Sequence, residues 1–314
     1  MKVGVIGAGA VGRACALALL QRASVARSCW STAPESGLPV QQRICATGGR
    51  CSPPVDISDG DYDDLAGAHL VMITAGENEQ SGGATDRDDP RGRLRLLDDN
   101  ARVYRDIVPQ IVAAAPEAVL LVVTDPPDPL ADLTRQLAGH DRLFGTGTLI
   151  DSLRLRVHIG RQLGVDPVAV DAMVLGEHGT SSVTMWSSAT VAGVPVSDLL
   201  GQGDRPAHEL QKQIEEDVRN ANITIIEGIG ASQYGIGIVS ARLTEAVLRD
   251  EGSVFPVGTH QPAYGVTLSL PCVVGRSGVA RTLAPRMSDA EANALRRSAD
   301  VLRNALEDAG LETT

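Results

Sequence analysis

The first apolar cluster, Val3, Val5 and Ile6, runs straight into Gly7-Ala-Gly9-Ala-Val-Gly12, and helical spacing takes over across 13–22. A short apolar strand, a glycine turn and a helix in that order predict one strand–turn–helix unit. Continuous apolar runs at 70–75 and 119–124, bounded by turn residues, read as strands buried on both faces. Between them, 93–115 has helical spacing interrupted at Pro109. Strands alternating with helices give an α/β fold with an N-terminal doubly wound parallel sheet of the Rossmann type.

The pattern changes after Gly147. A helix is expected at 151–163 and a strand at 169–175, which ends at a loop carrying His178. Short apolar stretches at 182–191 and 194–196 follow, then a long amphipathic segment at 208–227 and a glycine-rich one at 228–237. A strand at 266–274 and an Ala/Leu/Arg helix at 289–306 close the chain. We expect two domains, a dinucleotide-binding domain at 1–147 and an α+β substrate domain at 148–314. The polar, glycine-bearing stretch 77–92 is too long for an ordinary connection, and such loops commonly cover binding sites.

Composition narrows the class. The net charge is −11 and Lys is confined to Lys2 and Lys212, so no basic patch argues for nucleic acid. No apolar run approaches the roughly 20 residues of a membrane helix, and Met1-Lys2 leads directly into a strand rather than a leader, so a cytoplasmic protein is expected. The five cysteines show neither disulfide framework nor metal-ligand spacing, and no metal is expected.

Gly7, Gly9 and Gly12 would let backbone N–H groups and a helix N-terminus approach a pyrophosphate; the bland alternative is a tight turn. His178, flanked by Glu177 and Gly179, could act as a general acid if a buried carboxylate fixes its tautomer, and Asp151 could be that carboxylate. Arg154 follows Asp151 by one helical turn, and its planar fork suits a substrate carboxylate. A surface ion pair is the competing reading of Asp151 and Arg154.

Taken with Thr74-Ala75-Gly76, 93–100, 145–156, 176–186, 230–237 and 268–276, these motifs make nearly the whole chain similar to the lactate/malate dehydrogenase family. The resemblance implies NAD as cofactor, His178 as proton donor and acceptor, Asp151 as its orienting carboxylate and Arg154 as substrate-carboxylate anchor. It implies that Arg93 polarises the reacting carbonyl when the 77–92 loop closes. Ser232 falls beside the substrate, and Thr74, Ala75, Gly76, Asn100 and Thr124 fall at cofactor-contacting positions. A homodimer or homotetramer is also implied.

Three places depart from the family pattern. Asp125 stands where asparagine is usual; a carboxylate there must be neutralised by Arg93 or hold a proton. The loop before Arg93 is sixteen residues, 77–92, against eight in the family; Glu79 or Gln80 falls nearest the specificity position, and Arg87 and Arg91 could also reach in. Gln80 leans the reading towards lactate. Finally, the acid expected about 20 residues after Gly12 to hold the adenosine ribose is replaced by Thr32, and 28–33 is a poor strand sequence. The adjacent reading frame, entered at Cys29-Trp30, reads Val-Asp across Trp30-Ser31-Thr32 when these are encoded TGG-TCG-ACC. Our hypothesis is that 28–52 is translated one base out of frame, with a genuinely divergent loop as the alternative; gene sequencing decides, and as written the chain should bind NAD weakly.

The expected function is an NAD-dependent 2-hydroxy-acid dehydrogenase interconverting L-lactate and pyruvate, with malate and oxaloacetate as the alternative. A non-catalytic oligomeric relic is the rival from another class. An NAD-using glycosidase would need metal ligands that the sequence lacks.

Overall fold

The computed structural model describes residues 1–22, 27–31, 55–79, 84–203 and 205–311. Thr32, Gln80 and most of 28–52 lie outside the described residues.

Among the described residues the fold is built on one nine-stranded sheet. Its parallel part contains β1 (Lys2–Ile6), β2 (Arg27–Ser31), β3 (Asp56–Gly60), β4 (Leu70–Ile73), β5 (Val119–Val122) and β6 (Leu143–Gly145). These stand in the order β3-β2-β1-β4-β5-β6 and pair in parallel throughout. The expected second strand therefore forms, with its backbone seated between β1 and β3. β4 and β5 are buried at every position, as parallel strands covered on both faces must be. The strand order reverses between β1 and β4, the point at which such sheets open a crevice beyond their carboxyl ends.

Helices α1 (Ala10–Arg22), α2 (Leu97–Ala114) and α3 (Pro127–Ala138) cover this sheet. The chain after Arg93 first makes a 3-10 turn, Gly92–Leu96, before α2 begins. α2 then runs through Pro109 without a break. Pro109 and Arg105, whose carbonyl loses its partner, are both exposed, where solvent can reach the freed oxygen.

The second half begins with α4 (Leu149–Leu163). The strand expected at 169–175 is two strands, β7 (Val170–Asp171) and β8 (Val174–Leu175), which join different small sheets. β8 pairs with β9 (Val183–Thr184), and β7 with β10 (Thr190–Val191), which also holds β11 (Val194–Pro195). The amphipathic segment near 208–227 divides, after the short α5 (Val196–Leu200), into α6 (Ala207–Arg219) and α7 (Ala221–Ile229). The glycine-rich stretch is helical from Gln233 onward, as the start of α8 (Gln233–Arg249). Gly237 there is required by packing, because a Cβ would lie 2.7 Å from the Ala14 backbone of α1.

β12 (Ser253–Gln261), β13 (Val266–Gly275) and β14 (Gly278–Thr282) form an antiparallel meander. β12 joins the edge of β6 through Gly258 and Gly145, so the sheet runs on into the second half of the chain. α9 (Asp289–Asp308) starts at a Ser288–Glu291 capping box. No helix among the described residues is long and apolar enough to cross a membrane.

Candidate active site

The turn after β1 places the glycines. Gly7 has φ +103°, and its Cβ would lie 2.7 Å from Ala75 N; a Cβ on Gly12 would strike the Gly7 carbonyl. Gly9 has nothing within 4 Å of where a Cβ would be and opens onto a pocket. Thr74, at the end of β4, donates to the carbonyls of Ile6 (2.9 Å) and Gly7 (3.1 Å), which ties the two strand ends together. Bare backbone and small side chains around a helix N-terminus are what a pyrophosphate needs, so this end of the pocket fits a dinucleotide.

The pocket encloses about 360 Å³, within the usual range of small-molecule sites. Gly9, Thr74, Gly76, Thr124, Arg93, Asp125, Arg154, His178 and Ser232, all expected from the sequence, line it. Asn100 does not: it is fully buried behind the wall. Its Oδ1 accepts from Glu77 N (2.6 Å), and its Nδ2 donates to the carbonyls of Glu77 (3.2 Å) and Asp125 (2.6 Å). Its work is to hold the start of the 77–92 loop against the turn carrying Asp125. Arg87 and Arg91 do not reach in either. Arg87 forms a two-pronged pair with Glu227 of α7 (2.5 and 2.7 Å), and Arg91 is exposed beside Asp89. Glu79 does line the pocket. Gln80 and Thr32 lie outside the described residues.

The chemistry gathers at the junction of α4 and β8. Ser152 Oγ accepts from Val174 N (2.9 Å), which registers α4 against β8. Gly176 then pairs with Ser269 of β13, and at φ +83° its Cβ would lie 2.7 Å from Ser298 Oγ. That fixed register brings His178 Nδ1 to 2.5 Å from Asp151 Oδ2. Asp151 Oδ1 accepts from Arg154 Nη1 at 3.2 Å. Burial alone would raise the Asp151 carboxyl, but His178, Arg154 and Arg93 together hold it well below the usual carboxylate range. It is a permanent anion behind the ring, so Nδ1 carries the hydrogen and Nε2 is left to face the pocket.

Nε2 lies 3.9 Å from Asp125 Oδ1, and Asp125 Oδ2 accepts from Arg93 Nε at 3.1 Å. Of the two ways to accommodate Asp125, the structure thus pairs it with Arg93. Burial opposes the Arg93 charge, but the carboxylates of Asp125, Asp151, Glu79 and Glu177 more than offset this and raise its pKa. Arg93 itself is fixed from below: Thr180 Oγ1 donates to the Pro90 carbonyl (2.8 Å), which anchors the loop's end to the His178 loop.

Sequence reasoning missed Asp128. Fully buried, it accepts from His178 N at 2.7 Å, while its Oδ1 is buried without a hydrogen-bond partner. Burial pushes this carboxyl up to about 7, against the pull of the His178 N–H and ring. Between the unfolded value near 4 and 7, the folded chain therefore holds a proton that the unfolded chain has lost. Stability from this group must fall as pH rises through that window and level off above it. Asp128→Asn keeps the acceptor and removes the titration. It should shrink the drop in Tm between pH 5 and pH 8 measured for the unaltered protein. An unchanged drop would show that Asp128 does not titrate there.

Comparison with known proteins matches the chain in two stretches. The family described as lactate/malate dehydrogenase, NAD binding domain, matches residues 1–145, and the lactate/malate dehydrogenase α/β C-terminal domain matches residues 148–312. An L-lactate dehydrogenase of Deinococcus radiodurans is 43% identical over 312 residues, covering 99% of this chain and 100% of the relative. One of Thermus aquaticus is 42% identical, covering 97% of this chain and 98% of the relative. The crystal structure of a lactate dehydrogenase from a Medee basin deep-sea metagenome library superposes with a TM-score of 0.89 at 30% identity, covering 98% of each chain.

Proposed function

Because the chain belongs to the lactate/malate dehydrogenase family, we propose that it is an NAD-dependent L-lactate dehydrogenase interconverting L-lactate and pyruvate. The observation that carries lactate over malate is the cation count of the pocket. Among the described lining residues only Arg93 and Arg154 are fixed cations, and Glu77, Glu79 and Asp125 are acids. One arginine takes the substrate carboxylate and the other the reacting oxygen. A second carboxylate, as in oxaloacetate, would meet Glu79 and Asp125 with no arginine to receive it. The sequence Gln-Ser-Gly-Gly at 80–83 carries no charge.

In this reading Arg154, held by Asp151, binds the carboxylate end of the substrate. Arg93, paired with the Asp125 carboxylate that lies 3.9 Å from His178 Nε2, supports negative charge growing on the carbonyl oxygen. His178 gives its Nε2 proton to that oxygen in reduction and takes it back in oxidation, while Asp151 holds the ring and stabilises the imidazolium form. Gly7, Gly9, Gly12, Thr74, Ala75, Gly76 and Thr124 would hold NAD, which when bound would supply the hydride chemistry. Ser232 lies on the pocket wall. The cofactor domain is assigned to 1–147 and the catalytic domain to 148–314, and the enzyme to the cytoplasm as a homodimer or homotetramer.

The test is NADH consumption by purified protein offered pyruvate and oxaloacetate separately. Like charges brought together in a closed site cost several kcal/mol, so kcat/KM should favour pyruvate by about 100-fold or more. Equal or reversed preference would overturn the lactate assignment, and silence with both would restore the relic.

A further inference from the structure

The wall that α7 gives to the pocket carries a polar side chain that no described residue engages. Asn222 is 4% exposed and lines the pocket. Its carboxamide makes no hydrogen bond to any described residue, yet its oxygen and nitrogen are not sealed in. The surface they keep is pocket surface.

The helix itself gives no reason for this residue. Asparagine is a weak helix former, the N-cap of α7 is Asn220, and the buried neighbours of Asn222 along α7 are Ile223 and Ile226. An apolar side chain would pack there more favourably, because a buried amide without a partner forfeits its hydration. The orientation of α7 is held from outside, where Arg87 engages the exposed Thr224 and Glu227. Asn222 and Ile226, one helical turn apart, share the face that lines the pocket.

A 2-oxo acid presents three groups: the carboxylate, the reacting oxygen and whatever C3 carries. Arg154 takes the first, and Arg93 with His178 takes the second. The glycine turn, with Gly9, Thr74 and Gly76, is the cofactor's end of the pocket. The lining that α7 supplies is left to meet the third group. We propose that Asn222 determines specificity for the C3 substituent, and that the site takes 2-oxo acids bearing a neutral hydrogen-bonding group there, a hydroxyl first of all. A carboxamide both donates and accepts, so it suits a hydroxyl in either sense. It brings no charge to offset Glu79 and Asp125, so a carboxylate on C3 stays disfavoured. Ser232, whose hydroxyl does not cap α8, adds a second neutral polar group to the same lining. The inference rests on the 2-oxo-acid reading above and extends it beyond the methyl group of pyruvate. The chemical step is unchanged: C2 is reduced, NADH is oxidised to NAD+, and the oxygen receives its proton from His178.

3-Hydroxypyruvate and 2-oxobutyrate differ by a hydroxyl against a methyl group of similar size, so packing stays nearly constant while hydrogen bonding changes. The experiment is kcat/KM for reduction of both, with pyruvate beside them, in the unaltered protein, Asn222→Leu and Asn222→Ala. The unaltered protein should favour 3-hydroxypyruvate over 2-oxobutyrate by about tenfold or more, the effect of one buried hydrogen bond made or left unmade. In both variants that ratio should fall by about the same factor. The intrinsic reactivities of the two carbonyls are common to every variant and cancel from the fall. A ratio that both variants leave unchanged overturns the proposal. So does a loss confined to NADH affinity, read by fluorescence titration, which would put Asn222 against the cofactor. An unaltered protein that favours 2-oxobutyrate overturns it without any variant. Absence of pyruvate turnover removes the 2-oxo-acid reading and this inference with it, whereas pyruvate turnover with no preference between the two isosteres removes the role of Asn222 alone.

Discussion

His178→Asn should retain NADH binding and lose about a hundred- to ten-thousand-fold in pyruvate turnover, the contribution of a positioned general acid. The size follows from the geometry. The ring is buried, its Nδ1 is committed to Asp151, and its Nε2 is the nitrogen on the side of Asp125. An amide of similar size can fill the space and still donate its unchanged backbone N–H to Asp128, but its side chain has no acidic proton to give at neutral pH. Stopped-flow measurement of NADH binding beside steady-state turnover separates the two effects. A loss in kcat of less than tenfold with binding intact would mean that another group supplies the proton. Asp125, 3.9 Å away, would be the first to examine.

Arg154→Gln should act on substrate affinity. The side chain is largely buried and pairs with Asp151. Burial depresses its pKa and the Asp151 carboxylate opposes that, yet a guanidinium remains charged at any working pH. Removing one partner of a buried, hydrogen-bonded charge pair costs about 2–5 kcal/mol, roughly thirty- to several-thousand-fold in kcat/KM. Pyruvate and oxaloacetate should lose equally, because both present a carboxylate to this residue. An unequal loss would show that Arg154 is reading something other than the shared carboxylate. Steady-state kinetics at several substrate concentrations, with kcat and KM resolved, decide the matter.

What could be read in advance, and what could not, divides by the range of the interaction. The glycines of the first turn, the Asp151–Arg154 spacing and the loop position of His178 are local patterns, and local patterns survive in a sequence. Pro109 was read as an interruption because its exposure, which decides whether a missing hydrogen bond matters, is a property of the folded molecule. β12, which carries Pro256 and a glycine, has no clean apolar run; a nine-residue register with β13 makes it a strand. β3, polar and at the sheet edge, gave no signal for the same reason. Asp128 was overlooked because its partner, the His178 N–H, is 50 residues away. The loop arginines were misjudged because Glu227, which engages Arg87, lies 140 residues downstream. Asn100 and Thr124 were assigned by resemblance; the structure gives Asn100 the task of clamping the loop and puts Thr124 on the pocket wall.

The joining of β12 to β6 bears on how the protein can be dissected. A fragment ending near Gly147 would look like a self-contained nucleotide-binding module. Yet the cut would strip β6 of its neighbour and leave an apolar strand, Leu143 and Phe144 included, with unpaired N–H and C=O groups along a bare edge. Such an edge recruits another chain, by swapping or aggregation, unless something covers it. The meander of β12–β14 is therefore a covalent edge cap as much as a piece of the catalytic half. Anyone wishing to graft this cofactor site elsewhere should carry that meander along with it.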